Sequence, residues 1–565
     1  MSLSGTIRDG PALETDPAMS RAQTIFETFR QAVAGFGPHA FIHIPPEATA
    51  RYAEGPVDWT YTQADAAVAA LAGAYRAAGF VAGHRVALAM DNRADFFLHV
   101  LALNGLGASV VPLNAEMAAA ELGYILKHSD AAAAVCLADH VGKVEAARDA
   151  VGLALPVCAV GAAVATPARA PAAALTDDAP AREAALLYTS GTTGSPKGCI
   201  LSNAYFLAAG GLYVSLGGYC AFRPGVERLI TPLPVTHMNA LACSFMAMMM
   251  VGGCVIQLDR FHPSSWWRSV RESRATCLHY LGVMPAMLLG APESPEDDMS
   301  GQIRFGFGAG VDPRHHVRFE DRFGFPLVEA WAMTETGGAA WITANVEPRH
   351  RGQRCFGKAP AGLAWRIVDE AGADAPVGTP GELLVRRAEG DPRAGFFTAY
   401  YKDPEATATA WEGGWFHTGD VVKVDDAGSF YFVDRLKNVV RRSGENIAAV
   451  EVESILMQHP AVAACAVVPV PDEIRGEEVF ACVVVRPDHA ADAATARAIF
   501  DAAMEKLVYF KAPGYIAFVE TLPQTASQKL ARGAIKKLAL DRLEARDMID
   551  LCALKKRPKT PGAGH

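Results

Sequence analysis

Apolar positions in the first third of the chain follow two alternating rhythms. Residues 66–79 are alanine-rich with a helical period, residues 86–90 form a short continuous apolar run, residues 96–103 return to the helical period, and residues 109–112 are a second short run. A short unbroken apolar run fits a strand covered on both faces, and strand and helix in turn predict a parallel sheet with crossover helices. The middle third keeps this rhythm. Residues 363–368, 381–386 and 429–433 then predict strands separated by Gly, Pro and Asp turns, which marks a more β-rich subdomain. Past the charged stretch 434–438 the pattern restarts: helix over 450–458, strands over 464–470 and 479–485, helix over 494–506. That is a small α+β domain of about 130 residues, a common domain size. The expected fold class is α/β, a large N-terminal domain of parallel-sheet subdomains with a β-rich subdomain, followed by a small C-terminal α+β domain.

Two segments are less regular. The most apolar run, residues 240–256, contains Ser244, Gly252 and Gly253. At about seventeen residues it is short for a membrane span, and a buried helix followed by a strand is expected. Residues 161–180 are rich in Ala and Pro without a period, and read as a surface connection or as a linker between subdomains.

Composition narrows the class. With 565 residues the chain exceeds one ordinary domain, and 51% hydrophobic with 20% charged residues fits a globular protein with a large core. A net charge of −9 argues against a general nucleic-acid surface. The eleven cysteines are scattered, with no CxxC pair and no metal spacing, and Cys243, Cys254 and Cys482 sit in apolar surroundings. A reducing, cytoplasmic setting follows. The first ten residues lack a signal-peptide pattern, and the basic stretch from Lys555 to Lys559 reads as a solvated end.

The densest chemistry is at residues 188–198, YTSGTTGSPKG. Thr189, Ser190, Thr192 and Thr193 supply hydroxyl donors, Gly191 and Gly194 let backbone N–H groups turn toward an anion, and Lys197 adds positive charge. The short apolar run before Tyr188 predicts that the loop leaves a buried strand. The Walker A spacing fails, because Lys197 is followed by Gly198.

This run resembles the phosphate loop of the adenylate-forming superfamily, which includes acyl-CoA synthetases, peptide-synthetase adenylation domains and luciferases. The resemblance continues in the family's order at residues 329–336, 415–420, 434–453 and 523–529. It implies an enzyme that joins a carboxylic acid to the α-phosphate of ATP with Mg²⁺, releases pyrophosphate, and passes the acyl group from AMP to coenzyme A. By the same resemblance the loop 189–197 cradles the outer phosphates, Glu335 helps hold Mg²⁺ and Thr334 contacts phosphate. Glu329, Ala330 and Trp331 lie beside the nucleotide, with Trp331 where the family often has a tyrosine against adenine. Gly308, Ala309 and Gly310 match the small-residue segment beside the adenine and acyl group. Asp420 matches the ribose-gripping aspartate, and Phe432 and Arg435 are further nucleotide contacts. Lys437 matches the hinge about which the small domain rotates, so that residues 1–434 form the large domain, 435–438 the hinge and 439–565 the small mobile domain. Ser443, Gly444 and Glu445 approach the pantetheine arm of coenzyme A, and Lys529 is the catalytic lysine. Before that lysine the family commonly has glycine, whereas this chain has Gln528, which puts the loop geometry in question.

Several readings stay open at this level. His237 lies where the family gates the acyl pocket, yet a histidine near a helix start also serves as a structural residue. Arg441 and Arg442 meet coenzyme A phosphates or face water. The segment RRSGENI suggests the carnitine/crotonobetaine branch. A stand-alone adenylation enzyme loading a carrier protein, or a nucleotide-binding protein with impaired catalysis, are the alternatives. The acid and the oligomeric state are not legible.

Overall fold

A computed structural model describes residues 22–50, 52–114, 117–189, 196–442, 445–472, 475–524 and 530–555. Among these residues three sheets carry the architecture. The largest begins as a parallel array in which Leu327–Trp331, Phe305–Ala309, Cys277–Leu281, Arg228–Thr231, Cys254–Gln257 and Ala40–Ile44 lie side by side. Past Trp331 the same sheet turns antiparallel, through Ile342–Thr343, Cys355–Lys358, Ser429–Arg435, Phe416–Val424, Gly381–Arg387 and Leu363–Val368. The change from crossover helices to Gly/Pro/Asp turns in the sequence marks this switch.

The second sheet has a parallel core of Glu183–Thr189, Ser109–Leu113, Arg85–Ala89, Ala133–Cys136 and Val157–Ala159. Its strand starts are pinned by a buried ion pair: Arg85 donates from Nε and a terminal nitrogen to both oxygens of Glu183, at 2.7 Å each, and Ser109 Oγ donates to the same carboxylate at 2.7 Å. Residues 161–180 run along this sheet, where Ala172 and Ala173 donate to the Gly83 carbonyl. They join two strands of one sheet, so they are a surface connection and not a linker between subdomains.

Local signals set the helices. Tyr61–Ala77 starts in a reciprocal capping box of Thr60 and Gln63. Pro313–Phe323 has Asp312 as N-cap, Pro313 in the first turn and Gly324 in the left-handed conformation at φ 75° after its end. The apolar run near residue 240 becomes a π-helical turn, Asn239–Ser244, then helix Phe245–Val251, then strand Cys254–Gln257. Among the described residues no helix is long and apolar enough to cross a membrane.

The third sheet belongs to the C-terminal part. Val462–Asp472 and Gly476–Val485 form a long antiparallel hairpin, flanked by Ala449–Leu456, Ala493–Lys506 and Arg532–Glu544. Its apolar clusters run from Val440 to Leu551, apart from the main core, which ends at Phe430. Two expectations from the sequence fail in this domain. Arg442 is 5% exposed and donates from Nε to Glu478 at 2.7 Å, so its guanidinium points into the domain. Lys555 is no solvated end: its ammonium is buried against the other oxygen of Glu478. Burial pushes Lys555 down to about 8, an effect the facing carboxylate only partly offsets.

Candidate active site

A cleft of about 1410 Å³ opens where the C-terminal ends of the parallel strands meet the antiparallel half of the large sheet and the C-terminal domain. Crevices beyond the carboxyl ends of parallel strands are the usual ligand sites of such sheets. The strand Glu183–Thr189 delivers Thr189 to the wall, and Lys197–Ser202 returns antiparallel so that Lys197 pairs with Thr189. The loop is therefore closed at its base as a hairpin. Ser190, Gly191, Thr192, Thr193 and Gly194 lie outside the described residues.

Lys197 faces two partners. Its ammonium is 3.9 Å from Asp403 and 5.0 Å above the Tyr400 ring. Tyr400 in turn donates its hydroxyl to Glu335 Oε1 at 2.9 Å. Glu335 is 7% exposed and still lines the cleft. Burial, with the Glu335 charge nearby, drives the Tyr400 hydroxyl far above its ordinary range, so it stays a donor. Thr334 lines the cleft beside Glu335, and its carbonyl is held by the Tyr205 hydroxyl at 2.7 Å.

Gly308 and Ala309 line the wall, and Gly310 follows at φ 80°. A Cβ on Gly308 would sit 2.3 Å from the Tyr280 carbonyl, so only glycine lets these two strands lie this close at the cleft. Glu329 braces the turn from behind: Tyr280 donates to it at 2.8 Å, Gly310 N–H at 2.9 Å and Val311 N–H at 3.2 Å. Burial raises its carboxyl pKa, and these hydrogen bonds oppose the rise. Its carboxylate is thus spent on the scaffold. Ala330 lines the cleft.

Trp331 departs from the expected adenine platform. Its ring is 6% exposed and packs toward Phe356, and its indole N–H donates to Asp420 Oδ2 at 2.8 Å. Asp420 and Arg435 stand opposite each other in the antiparallel pair Phe416–Val424 and Ser429–Arg435. Arg435 Nε lies 2.7 Å from Asp420 Oδ1, off the hydrogen-bonding direction, so that buried oxygen keeps an unmet acceptor. Burial pushes the Asp420 carboxyl up, against the pull of Arg435. Arg435 itself is well exposed on the wall. Phe432 is half-buried on the same strand, packs on the main core and is not on the cleft wall.

The C-terminal domain completes the cleft. Leu436–Asn438 is a single 3-10 turn containing Lys437, between Arg435 and Val439. Asp434 accepts from the Arg435 N–H at 2.7 Å and, with its other oxygen, from the Val450 N–H at 3.0 Å, tying this turn to the next helix. Glu445 begins the strand Glu445–Ala448 opposite Arg442. Ser443, Gly444, Gln528 and Lys529 lie outside the described residues. The flanks of that lysine are placed: Leu530 bridges Gln524 and lines the cleft, as does Arg532, whose guanidinium is clamped by Glu453. His237 lines the cleft. Tyr400, Arg532 and Asn239 also contribute to the wall; Asn239 and Arg532 fall inside the segments at 237–240 and 523–532 that the sequence points to, without a role of their own there. Tyr400 had a usable signal, an aromatic pair at 400–401 between Phe397 and a Pro-capped helix.

Comparison with known proteins agrees with this geometry. The model of the AMP-binding enzyme family matches residues 40–400, and the model of its C-terminal domain matches residues 451–529. The chain belongs to the AMP-binding enzyme family. It is similar to a sulfoacetate–CoA ligase of Cupriavidus necator, 33% identical over 81% of this chain and 88% of the relative. It is also similar to a crotonobetaine/carnitine–CoA ligase of Citrobacter koseri, 30% identical over 86% of this chain and 94% of the relative. Among solved structures, an o-succinylbenzoate-CoA synthetase of Bacillus subtilis bound to its acyl-adenylate intermediate shares the fold at a TM-score of 0.74, with 24% identity over 90% of this chain and 97% of that one. Family membership makes the chain an acid–thiol ligase that works through an acyl adenylate.

Proposed function

We propose that this cleft activates a small carboxylic acid with ATP and hands the acyl group to coenzyme A in the cytoplasm. The carrying observation is the convergence of Thr189 and Lys197 from the second sheet, Arg435 from the large sheet and Glu335 from the turn at its strand end, and Leu530 from the C-terminal domain, on one cavity. Lys197 and the glycine–hydroxyl loop neutralise the outer phosphates. The unmet acceptor on buried Asp420 suits a ribose hydroxyl, and Trp331 fixes the carboxylate so that its rotamer is set before the nucleotide arrives. Glu335 offers one hard carboxylate, enough for Mg²⁺, which usually takes only one or two from protein and the rest from phosphate and water. When bound, that ion supplies charge neutralisation at the phosphates.

Leu530, the residue after Lys529 in the sequence, lines the cleft, and Lys529 stabilises charge developing between the acid and the α-phosphate. The hinge lies at 435–438 between domains 1–434 and 439–565, supported by the gap between the main core and the C-terminal core. Rotation there exchanges the Lys529 face for Ser443, Gly444 and Glu445, beside which the thiol enters. A panel of carboxylic acids assayed for pyrophosphate release, with and without coenzyme A, tests the reading. Acid-dependent pyrophosphate with acyl-CoA as product is expected. Release without any thioester, or transfer only to a phosphopantetheinyl carrier protein, would overturn the coenzyme A half.

A further inference from the structure

The stretch of cleft wall from Thr236 to Asn239 backs onto a polar relay. Tyr213 meets His279 Nε2 at 2.8 Å, and His279 Nδ1 meets Asn239 Oδ1 at 2.6 Å and Ser244 Oγ at 3.0 Å. Ser244 Oγ donates to the Asn239 carbonyl at 3.2 Å, across the π-helical turn Asn239–Ser244. His279 and Ser244 are both 0% exposed. One assignment satisfies every member. The Tyr213 hydroxyl donates to Nε2, Nδ1–H donates to the Asn239 oxygen, and the Ser244 proton is used on the carbonyl. Burial keeps His279 neutral, holding it down to about 3, so the ring has one proton, and donation from the buried Tyr213 hydroxyl to Nε2 puts that proton on Nδ1.

With the proton on Nδ1, a flipped Asn239 amide would set donor against donor and lose this bond. Its oxygen is held inward, and Asn239 is only half-buried and lines the cleft. A planar amide held by its oxygen turns its NH₂ the other way. The neighbouring wall is Met238, Cys243, Phe307, Met333 and Trp341. Among the described residues the lysines and arginines on the cleft wall are Lys197, Arg435, Arg532 and Lys536, all from the phosphate-loop hairpin, the hinge strand or the C-terminal domain.

We propose that Asn239 is a specificity-determining donor: its NH₂, aimed by His279, selects acids whose acyl chain carries an uncharged oxygen acceptor, a hydroxyl or a carbonyl. This rests on the acid-activating reading above. One fixed donor beside Met238, Cys243, Phe307 and Met333 rewards one acceptor, and among the described residues a second anionic group would find no lysine or arginine on this side, only the imidazole of His237.

The test uses matched pairs on the full-length enzyme: 3-hydroxybutanoate and 3-oxobutanoate against butanoate, 4-hydroxybutanoate against pentanoate, and sulfoacetate as the anionic arm. Initial rates of ATP-dependent pyrophosphate release are read for wild type, Asn239→Leu and Asn239→Asp. Dissociation constants of the corresponding acyl-sulfamoyl adenosines give a readout independent of turnover. Wild type is expected to prefer the oxygen-bearing member by about tenfold in kcat/KM and in affinity, and both variants to bring that ratio close to one. An unchanged ratio in the variants, no preference in wild type, or a preference for sulfoacetate over the neutral acids would overturn the proposal while leaving acid activation standing. No pyrophosphate from any acid, with no binding of any acyl-sulfamoyl adenosine, would bring down both.

Discussion

Asp420 gathers three constraints on one carboxylate: an indole N–H on one oxygen, an arginine beside the other, and nearly complete burial. If its unmet acceptor serves the ribose, Asp420→Ala lowers AMP affinity by about a hundredfold, since a buried charged hydrogen-bond partner is worth roughly 1.5–3 kcal/mol. Trp331→Phe keeps an aromatic ring but removes the orienting N–H along with the indole's five-membered ring, and costs about tenfold or less. Calorimetric titration with AMP separates the two, and equal losses would mean that the indole does more than hold the carboxylate. Legibility at the residue scale follows contiguity. Glu335 and Asp420 stand in unbroken motifs and can be picked out from the sequence. The roles of Trp331, Tyr400 and Asn239 depend on partners 89, 65 and 40 residues away, which no local pattern reveals.

At the scale of elements, the helix Pro313–Phe323 is anchored by Glu320, which takes Arg349 on both oxygens, at 2.6 and 2.8 Å, and the Leu327 N–H at 2.8 Å. Burial alone would raise its pKa, but Arg349 and His316 outweigh that and bring it from 4.5 to about 2. The unfolded chain therefore takes up the proton first as pH falls. The stabilisation, on the order of 3 kcal/mol, is complete above about pH 4.5 and lost toward pH 2. Glu320→Gln should lower denaturant-unfolding stability at pH 7, and the gap from wild type should close over that acidic window; a gap independent of pH would refute the assignment. Most elements are legible from their periods. The strands at 363–368, 381–387 and 429–435 and the helices at 449–456 and 493–506 fall where apolar rhythm places them. What periodicity could not show was that the β-rich strands extend the parallel sheet rather than form a separate one, because pairing across Trp331 and Ile342 is a tertiary choice.

Across the whole molecule, the cleft is assembled from parts that alone do nothing: a hairpin base, a strand-end turn and the edge of a second domain. If the C-terminal domain serves the two half-reactions by different faces, Lys529→Ala should abolish acid-dependent pyrophosphate release while thioester formation from supplied acyl-AMP continues at near the wild-type rate. Equal loss of both steps, measured in single turnovers, would refute the division of labour.

The Arg442–Glu478–Lys555 cluster has a practical corollary for anyone who shortens or tags this polypeptide. Trimming back past Lys555 would strip one of two cations from a carboxylate sealed in the interior, just where the strand Val439–Arg442 ends before Ser443. Fusion partners belong beyond that lysine, and a stop codon before it would sabotage a region that lies far from it in sequence.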